Sequence, residues 1–187
     1  MFLDIGVGIF VSIFTSFVFD FEISFWLVFV SIFFAVVPDI DFLYFFPKRG
    51  DTKYDYKHRD IIHYPLLYLP VGTILFWMIF GNVWAVVFFL SSFFHFIHDS
   101  IGIGWGIKWL YPFSDKNYAF FYLYSKKIKK GLRKLIFSFS SEELSKYVQE
   151  HGDTDWVKNI YYKWHPIAIV EFLFFLVALV ILFLYVK

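Results

Sequence analysis

Four stretches of the chain are strongly apolar, and short polar segments separate them. These runs are Ile5–Phe19, Ile23–Val37, Tyr64–Phe94 and Ile167–Val186, and only the last contains a charged residue, Glu171. The first two have about 15 residues each, slightly fewer than the roughly 17–25 that a membrane span needs. Flanking residues or local thinning of the bilayer can close this gap.

Turn signals divide the four runs into five predicted membrane-spanning helices. Asp20-Phe21-Glu22 is long enough only for the tip of a hairpin between the first two runs. The run from Tyr64 to Phe94 is too long for one ordinary span and breaks at the strong turn pair Gly81-Asn82. We therefore predict an all-α integral membrane bundle of about five transmembrane helices, with an interfacial or cytoplasmic helical segment.

The composition agrees with a membrane protein that has a polar part outside the lipid. Hydrophobic residues make up 59% of the chain, against about 45–50% in a soluble domain, and this excludes intrinsic disorder. The charged fraction of 18% is too high for a bare bundle of spans. Because the chain has no cysteine, a metal ion would have to be held by His, Asp and Glu.

The positions of the basic residues predict the orientation. Sixteen of the seventeen Lys and Arg residues lie in region 48–63 or between Lys108 and Lys163. Five spans place both regions on one side, which the positive-inside rule assigns to the cytoplasm together with the N-terminus; the C-terminus is then on the opposite side. Met1 to Asp4 lack the basic region of a secretory signal, so we expect the first span to be retained.

Three segments follow from this topology. Residues 1–113 form a four-span membrane core, 114–165 a basic cytoplasmic or interfacial segment, and 166–187 a C-terminal transmembrane helix. The middle segment carries Lys126-Lys127-Ile128-Lys129-Lys130 beside aromatic and aliphatic residues. That pattern fits an interfacial helix attracted to anionic headgroups, or equally the ordinary positive flank of a membrane protein. Nucleic acid is not an expected partner, because the patch lies among apolar residues against a membrane.

Ionisable residues collect at the span ends that the topology places on the cytoplasmic face. His95 and Asp99 are four residues apart, so one helix face carries both. Taken singly, each such residue reads as an interfacial side chain, a helix cap or a headgroup anchor. Together, the clusters favour a metal site, because buried charges in a bilayer pair with one another or mark function. The residues are Asp4, Asp39, Asp41, His58, Arg59, His63, His95, His98, Asp99 and Glu171.

An ordered set of short motifs resembles a known family. The motifs are Pro38-Asp39-Ile40-Asp41, His58-Arg59-x-x-x-His63, His95-x-x-x-Asp99 and the run Trp105-Gly106-Ile107-Lys108-Trp109-Leu110-Tyr111-Pro112-Phe113-Ser114. This order is similar to that of the membrane-bound metal-dependent hydrolases, also described as LexA-binding, inner-membrane-associated hydrolases. The resemblance covers roughly residues 1–118, and the family is itself distantly similar to zinc-dependent phospholipase C.

The resemblance implies a set of ligands. Carried over residue by residue, it assigns Asp39, His58, His63, His95 and Asp99 as metal ligands, and Asp41 as a ligand or a partner of one. Family members commonly have a histidine near the N-terminus, where this chain has Asp4. Asp4 either substitutes as an oxygen ligand or leaves one metal position lost.

The predicted function is metal-dependent hydrolysis at the cytoplasmic membrane face. One or two divalent ions, zinc above all given the imidazole share, would activate a water molecule. Asp41 is the candidate general base, and Arg59 and Lys108 are candidates for holding an anionic substrate such as an amphiphilic phosphoester. Two alternatives stay open: a non-catalytic membrane protein with a structural metal or a partner-binding role, and a transporter of a metal or small anion.

Overall fold

The computed structural model describes residues 2–41 and 62–187. Four apolar helices come first: α1 (Phe2–Phe19), α2 (Phe25–Val36), α3 (Pro65–Phe80) and α4 (Asn82–Asp99). A short 3-10 helix, Val37–Asp41, continues α2. Strands β1 (Asn117–Leu123) and β2 (Leu132–Phe139), helix α5 (Ser141–His151) and a π-helical turn, Lys158–Tyr162, follow; helix α6 (Pro166–Val186) is last.

The helix boundaries lie where the turn signals predicted them. Helix α1 ends just before Asp20, and the Ser24 hydroxyl caps α2 by accepting a hydrogen bond from the Leu27 N–H at 3.2 Å. Gly81 separates α3 from α4 with a φ of +85°, a conformation that glycine adopts without strain. Pro65 and Pro166 stand at the starts of α3 and α6, where the missing N–H costs nothing.

Five helices occupy the apolar runs, but they differ in length and hydropathy. Only α1 and α6, among the described residues, are both long and apolar enough to cross a membrane by composition. Helices α2 and α3 are apolar but shorter. Large side chains such as Phe17 and Leu184 lie on the outer surface of the bundle. Such a surface suits a lipid environment better than water.

Helix α1 packs against α2, α4 and α6, and glycines let it approach two of these closely. A Cβ atom added at Gly8 would lie 2.5 Å from the Cα of Ile32 in α2. One added at Gly6 would lie 2.8 Å from the ring of Phe174 in α6. Small residues at such contacts allow helix backbones to pack closely. The first helix of the chain is therefore held between the second helix and the last.

The basic segment is not the interfacial helix that the sequence predicted. Residues 117–139 form an antiparallel β-hairpin, so the all-α prediction is wrong for this part, although the rest is mostly helical. Burial alternates at the end of β2, where Phe137 and Phe139 are buried and Ser138 is exposed, the two-residue period of a strand. The lysines 126–130 occupy the connection between the strands, which ends at Gly131 with a φ of +64°.

Helix α5 covers one face of the hairpin. Leu144 and Val148 pack against Ala119, Leu123 and Phe137. A capping box begins the helix: the Ser140 hydroxyl accepts from the Glu143 N–H, and the Glu143 carboxylate accepts from the Ser140 N–H. This small α/β unit has a hydrophobic core of its own.

A buried carboxylate joins the hairpin to the segment that leads into α6. Asp153 accepts hydrogen bonds from the Tyr124 hydroxyl at 2.8 Å and the Asn159 amide at 2.7 Å. Burial alone would raise the pKa of Asp153, but these bonds, the Asp155 N–H and the charge of Lys126 outweigh it and lower the pKa. Folding therefore favours the ionised form of Asp153.

This shift predicts a pH-dependent stability for the α/β unit. Because the folded-state pKa is lowered, the stabilisation is present above the ordinary aspartate value of about 3.9 and is lost as the pH falls through the folded-state value. Replacing Asp153 with alanine also leaves the partly buried donors of Tyr124 and Asn159 without this acceptor, which costs about 1 kcal/mol. We expect Asp153→Ala to speed amide hydrogen exchange in β1, β2 and α5 at neutral pH. We also expect this variant to lack the decrease in stability that protonation of Asp153 causes as the pH falls. The exposed Asp155→Ala is the control, and equal exchange in both variants would contradict the prediction.

Candidate metal site

Four potential metal ligands converge at one end of the helix bundle. Asp39 lies in the 3-10 helix that continues α2, and His63 lies two residues before α3. His95 and Asp99 lie one turn apart on α4, on the face that packs into the bundle. One candidate ligand atom from each of the four lies within 4.8 Å of those of the other three. We call Asp39, His63, His95 and Asp99 the four-residue cluster.

Four of the six separations across the cluster are close to those of ligands around one ion. Nε2 of His63 lies 3.1 Å from Oδ2 of Asp99 and 3.6 Å from Oδ1 of Asp39. Nε2 of His95 lies 3.5 Å from Oδ2 of Asp99 and 3.7 Å from Oδ1 of Asp39. Nitrogen and oxygen ligands 2.0–2.1 Å from a tetrahedral zinc ion would stand about 3.3–3.4 Å apart. Small shifts of side chains would bring the four into that geometry.

Because the cluster is buried, keeping its charged side chains there without a counterion costs free energy. The side chains of His63 and His95 are fully buried and that of Asp99 is 7% exposed, whereas that of Asp39 is 37% exposed. The buried Nε2 atom of His95 makes no hydrogen bond to any residue in the described ranges. Buried polar atoms are nearly always hydrogen-bonded, so this nitrogen fits a ligand of a metal ion. Two imidazoles with two carboxylates suit zinc and related divalent ions.

A second polar network lies behind His95. Oδ1 of Asp4, on α1, lies 3.4 Å from Nδ1 of His95 and 2.8 Å from Nδ1 of His98. On its other edge, His98 places Nε2 3.4 Å from Oε1 of Glu171, on α6. The Tyr161 hydroxyl of the π-helical turn donates to Oε2 of Glu171 at 3.0 Å. The network therefore links α1, α4 and α6 directly beside the cluster.

The other predicted site residues are placed only in part. His58 and Arg59 lie outside the described residues, and the side chain of Asp41 does as well. Lys108 lies with its Nζ 5.9 Å from the centre of the Tyr64 ring, and Tyr64 directly follows His63. The preceding residue, Ile107, exchanges backbone hydrogen bonds with Tyr118 of β1. The strand thus fixes the loop that carries Lys108.

The sequence placed His98 among the clustered ionisable residues without a separate role, and nothing in it singled out Tyr161. His98 carried a usable signal, since it lies three residues after His95 and so on a neighbouring part of the same helix surface. Tyr161 gave none: its contact with Glu171 depends on the π-helical turn before α6. Glu171, the one charge in an apolar run, is buried in this network.

Comparison with known proteins connects the chain to one family. A family profile described as YdjM inner membrane protein matches residues 5–187, nearly the whole chain. Like the resemblance found in the sequence, the match points to an inner-membrane protein, and it extends past residue 118, where that resemblance ended. It carries no statement about hydrolysis or phospholipase C. No curated protein and no solved structure matches this chain.

The cluster geometry predicts stoichiometric metal binding. We expect the purified, detergent-solubilised protein to contain a divalent metal, and the His95→Ala/Asp99→Ala variant to lose it, because the variant lacks two of the four ligands. Elemental analysis checks this. His165→Ala, at a histidine away from the cluster, is the control and should retain the metal. Absence of metal from the wild-type protein after reloading would rule out the site.

Proposed function

We propose that this chain, which belongs to the YdjM inner membrane protein family, is a membrane-bound metal-dependent hydrolase. Membership of the family establishes membrane association; the activity is our inference. The observation that carries it is the four-residue cluster, which is buried on the side of the helices and partly open at Asp39. A reactive centre needs both features, since burial strengthens electrostatic interactions and an opening admits substrate.

We further propose five membrane spans with the cluster at the cytoplasmic face. At 1.5 Å per residue, α1, α3, α4 and α6 are about 24–32 Å long, and α2 with its 3-10 extension reaches about 28 Å. These lengths approach the roughly 30 Å hydrocarbon core of a bilayer. Five spans put the cluster and the basic hairpin on one side, and the excess of Lys and Arg assigns that side to the cytoplasm.

Some residues of the cluster would hold the ion in the buried part of the site, and another would lie where substrate enters. His63, His95 and Asp99 would form the buried part of the site, and Asp39 the edge that faces incoming substrate. A bound divalent ion such as zinc would supply Lewis acidity and a nucleophilic water near neutral pH. His58 would add a ligand, and Asp41 would accept a proton as general base. Arg59 and Lys108 would hold an anionic group of the substrate.

The hairpin supports a lipid-like phosphoester as the substrate class. Its connection presents Lys127, Lys129 and Lys130 to solvent. In the strands of the same hairpin, Leu135 and Phe121 are 70% and 57% exposed, and Phe121 pairs with Lys134. Exposed apolar side chains with adjacent lysines are typical of surfaces that dock onto anionic lipid headgroups. A hairpin held in this way would keep the opening at Asp39 next to the membrane surface.

A structural metal site is the second candidate function. Four protein ligands are enough to close a tetrahedral site, and structural zinc sites are typically closed in this way. In that case the ion would hold together the 3-10 helix, the residues just before α3, and α4. Removing the ion would then lower the stability of the protein, and no enzymatic activity would be lost. The exposure of Asp39 favours the catalytic alternative, because an exposed carboxylate is the ligand that water or substrate most easily displaces.

A transport function has less support. The ionisable side chains of the apolar helices lie near one end: Asp4 on α1, His95, His98 and Asp99 on α4, and Glu171 on α6. The middle of these helices carries hydroxyl side chains such as Ser12, whose hydroxyl donates to the backbone oxygen of Ile9. A transport path would need polar groups through the full depth of the membrane.

The proposed topology predicts a pattern of thiol labelling. Because the chain has no cysteine, an introduced cysteine supplies the thiol that reacts. Single-cysteine variants Glu22→Cys and Lys129→Cys place one thiol in the α1–α2 turn and one in the hairpin. In intact cells, we expect a membrane-impermeant maleimide to label Glu22→Cys and to leave Lys129→Cys unlabelled until the membrane is opened. Labelling of both thiols from the same side would contradict the five-span arrangement.

The proposed activity predicts that removing lysines of the hairpin changes KM for lipid-borne substrates but not for soluble ones. In metal-loaded protein reconstituted into anionic bilayers, Lys129→Ala/Lys130→Ala should raise KM for a lipid-borne phosphoester roughly thirtyfold, because each lysine near an anionic surface is worth about 1 kcal/mol. Turnover of a soluble phosphodiester should stay unchanged. Lys116→Ala/Lys146→Ala, which removes two exposed lysines elsewhere, is the matched control. Failure of the loaded wild-type protein to cleave either substrate class would count against the hydrolase and favour the structural metal.

A further inference from the structure

Asp4 lies behind His95, on the side away from the other three members of the cluster. Its side chain is almost fully buried, at 2% exposed. Oδ1 of Asp4 lies 3.4 Å from Nδ1 of His95, an ion-pair distance slightly longer than an ordinary hydrogen bond. The same histidine directs Nε2 at Asp99 and Asp39. The two nitrogens of one imidazole point outward from different edges of the ring, so Asp4 and the cluster contact opposite sides of His95.

This arrangement has a known consequence in metal chemistry. A histidine that binds a metal through one ring nitrogen usually donates the N–H of the other to a carboxylate, which fixes the tautomer and the ring orientation. Asp4 stands where such a carboxylate is needed for His95. A carboxylate on that side of the ring cannot also bind the ion that Nε2 of His95 faces.

Two further residues hold Asp4 in place. Nδ1 of His98 lies 2.8 Å from the same oxygen of Asp4, closer than the 3.4 Å between that oxygen and His95. His98 is in turn held by Glu171 at 3.4 Å, and Glu171 accepts a hydrogen bond from Tyr161. The network thus fixes the rotation of α1 about its axis relative to α4 and α6, and with it the position of the Asp4 carboxylate.

We propose that Asp4 is a positioning residue and not a metal ligand: it orients His95 through Nδ1, and His98 and Glu171 keep Asp4 in place. This inference rests on the metal site of the proposed function. It assigns a role to the aspartate that stands where the resembled family commonly has a histidine, and to a glutamate inside an apolar helix.

The test compares metal affinity and coordination in the full-length protein. The dissociation constant for Zn²⁺ is measured by competition with a chromophoric chelator, and the visible spectrum of the Co²⁺-substituted protein reports the coordination. We expect Asp4→Ala to weaken Zn²⁺ binding by about 10–100-fold, the usual effect of losing a carboxylate that supports a ligand. The Co²⁺ spectrum and the metal stoichiometry should stay those of the wild type.

Conservative variants keep the test decisive if Asp4→Ala folds poorly. Asp4→Asn retains the size and one oxygen acceptor, so we expect an affinity between those of the wild type and Asp4→Ala. Glu171→Gln weakens the support that Asp4 receives through His98, so it should weaken binding by a smaller factor. Asp20→Ala, an exposed acidic residue at the other end of α1, is the matched control and should leave the affinity unchanged.

Each contrary result has a distinct meaning. A changed Co²⁺ coordination or a lower metal stoichiometry in Asp4→Ala and Asp4→Asn would make Asp4 a ligand and overturn the inference. Unchanged affinity in both variants, with metal bound by the wild type, would overturn the positioning role and leave the metal site intact. A wild-type protein that binds no metal would overturn the proposed function and this inference together.

Discussion

The cost of placing ionisable side chains among apolar helices governs this structure. Two fully buried histidines and a nearly buried aspartate occupy one end of a bundle whose other surfaces are aromatic and aliphatic. Such groups are tolerated where they face one another, hydrogen-bond or bind an ion. The 3-10 helix after α2, the residues before α3 and the end of α4 all meet at this point. The bundle is therefore organised around its polar end, and the remaining helix surfaces are free to face lipid.

Close packing around α1 serves the same constraint. Gly8 and Gly6 let this helix lie against α2 and α6 at distances that a methyl group would prevent. Asp4, one turn earlier on α1, is thereby carried to within 2.8 Å of His98. Helices without a hydrophobic force between them in lipid associate through such close contacts and through hydrogen bonds. The glycines and the polar network are thus parts of one packing arrangement.

Much of the helical bundle and the core of the candidate site could be predicted from the sequence. The apolar runs predicted five helices, and spacing with motif order brought Asp39, His63, His95 and Asp99 together. The hairpin was missed because its basic residues sit among apolar ones, a pattern that also fits an interfacial helix; the alternation of Phe137 and Phe139 is short. The partnership of Asp4 with His95 and His98 depends on the rotation of α1 against α4, which no local pattern encodes.

The contact between α1 and α6 determines which contacts of the bundle form late during synthesis. Helix α1 packs against α6, which is synthesised later, with the Phe174 ring against Gly6 and Glu171 against His98, which holds Asp4. Until α6 is synthesised, the Phe174 ring that packs against Gly6 is missing. The candidate ligands on the 3-10 helix, before α3 and on α4 are all synthesised earlier, but the network behind them closes only after α6 has been made. The contacts of α1 with α6 therefore form late, beside the place where the function is proposed to reside.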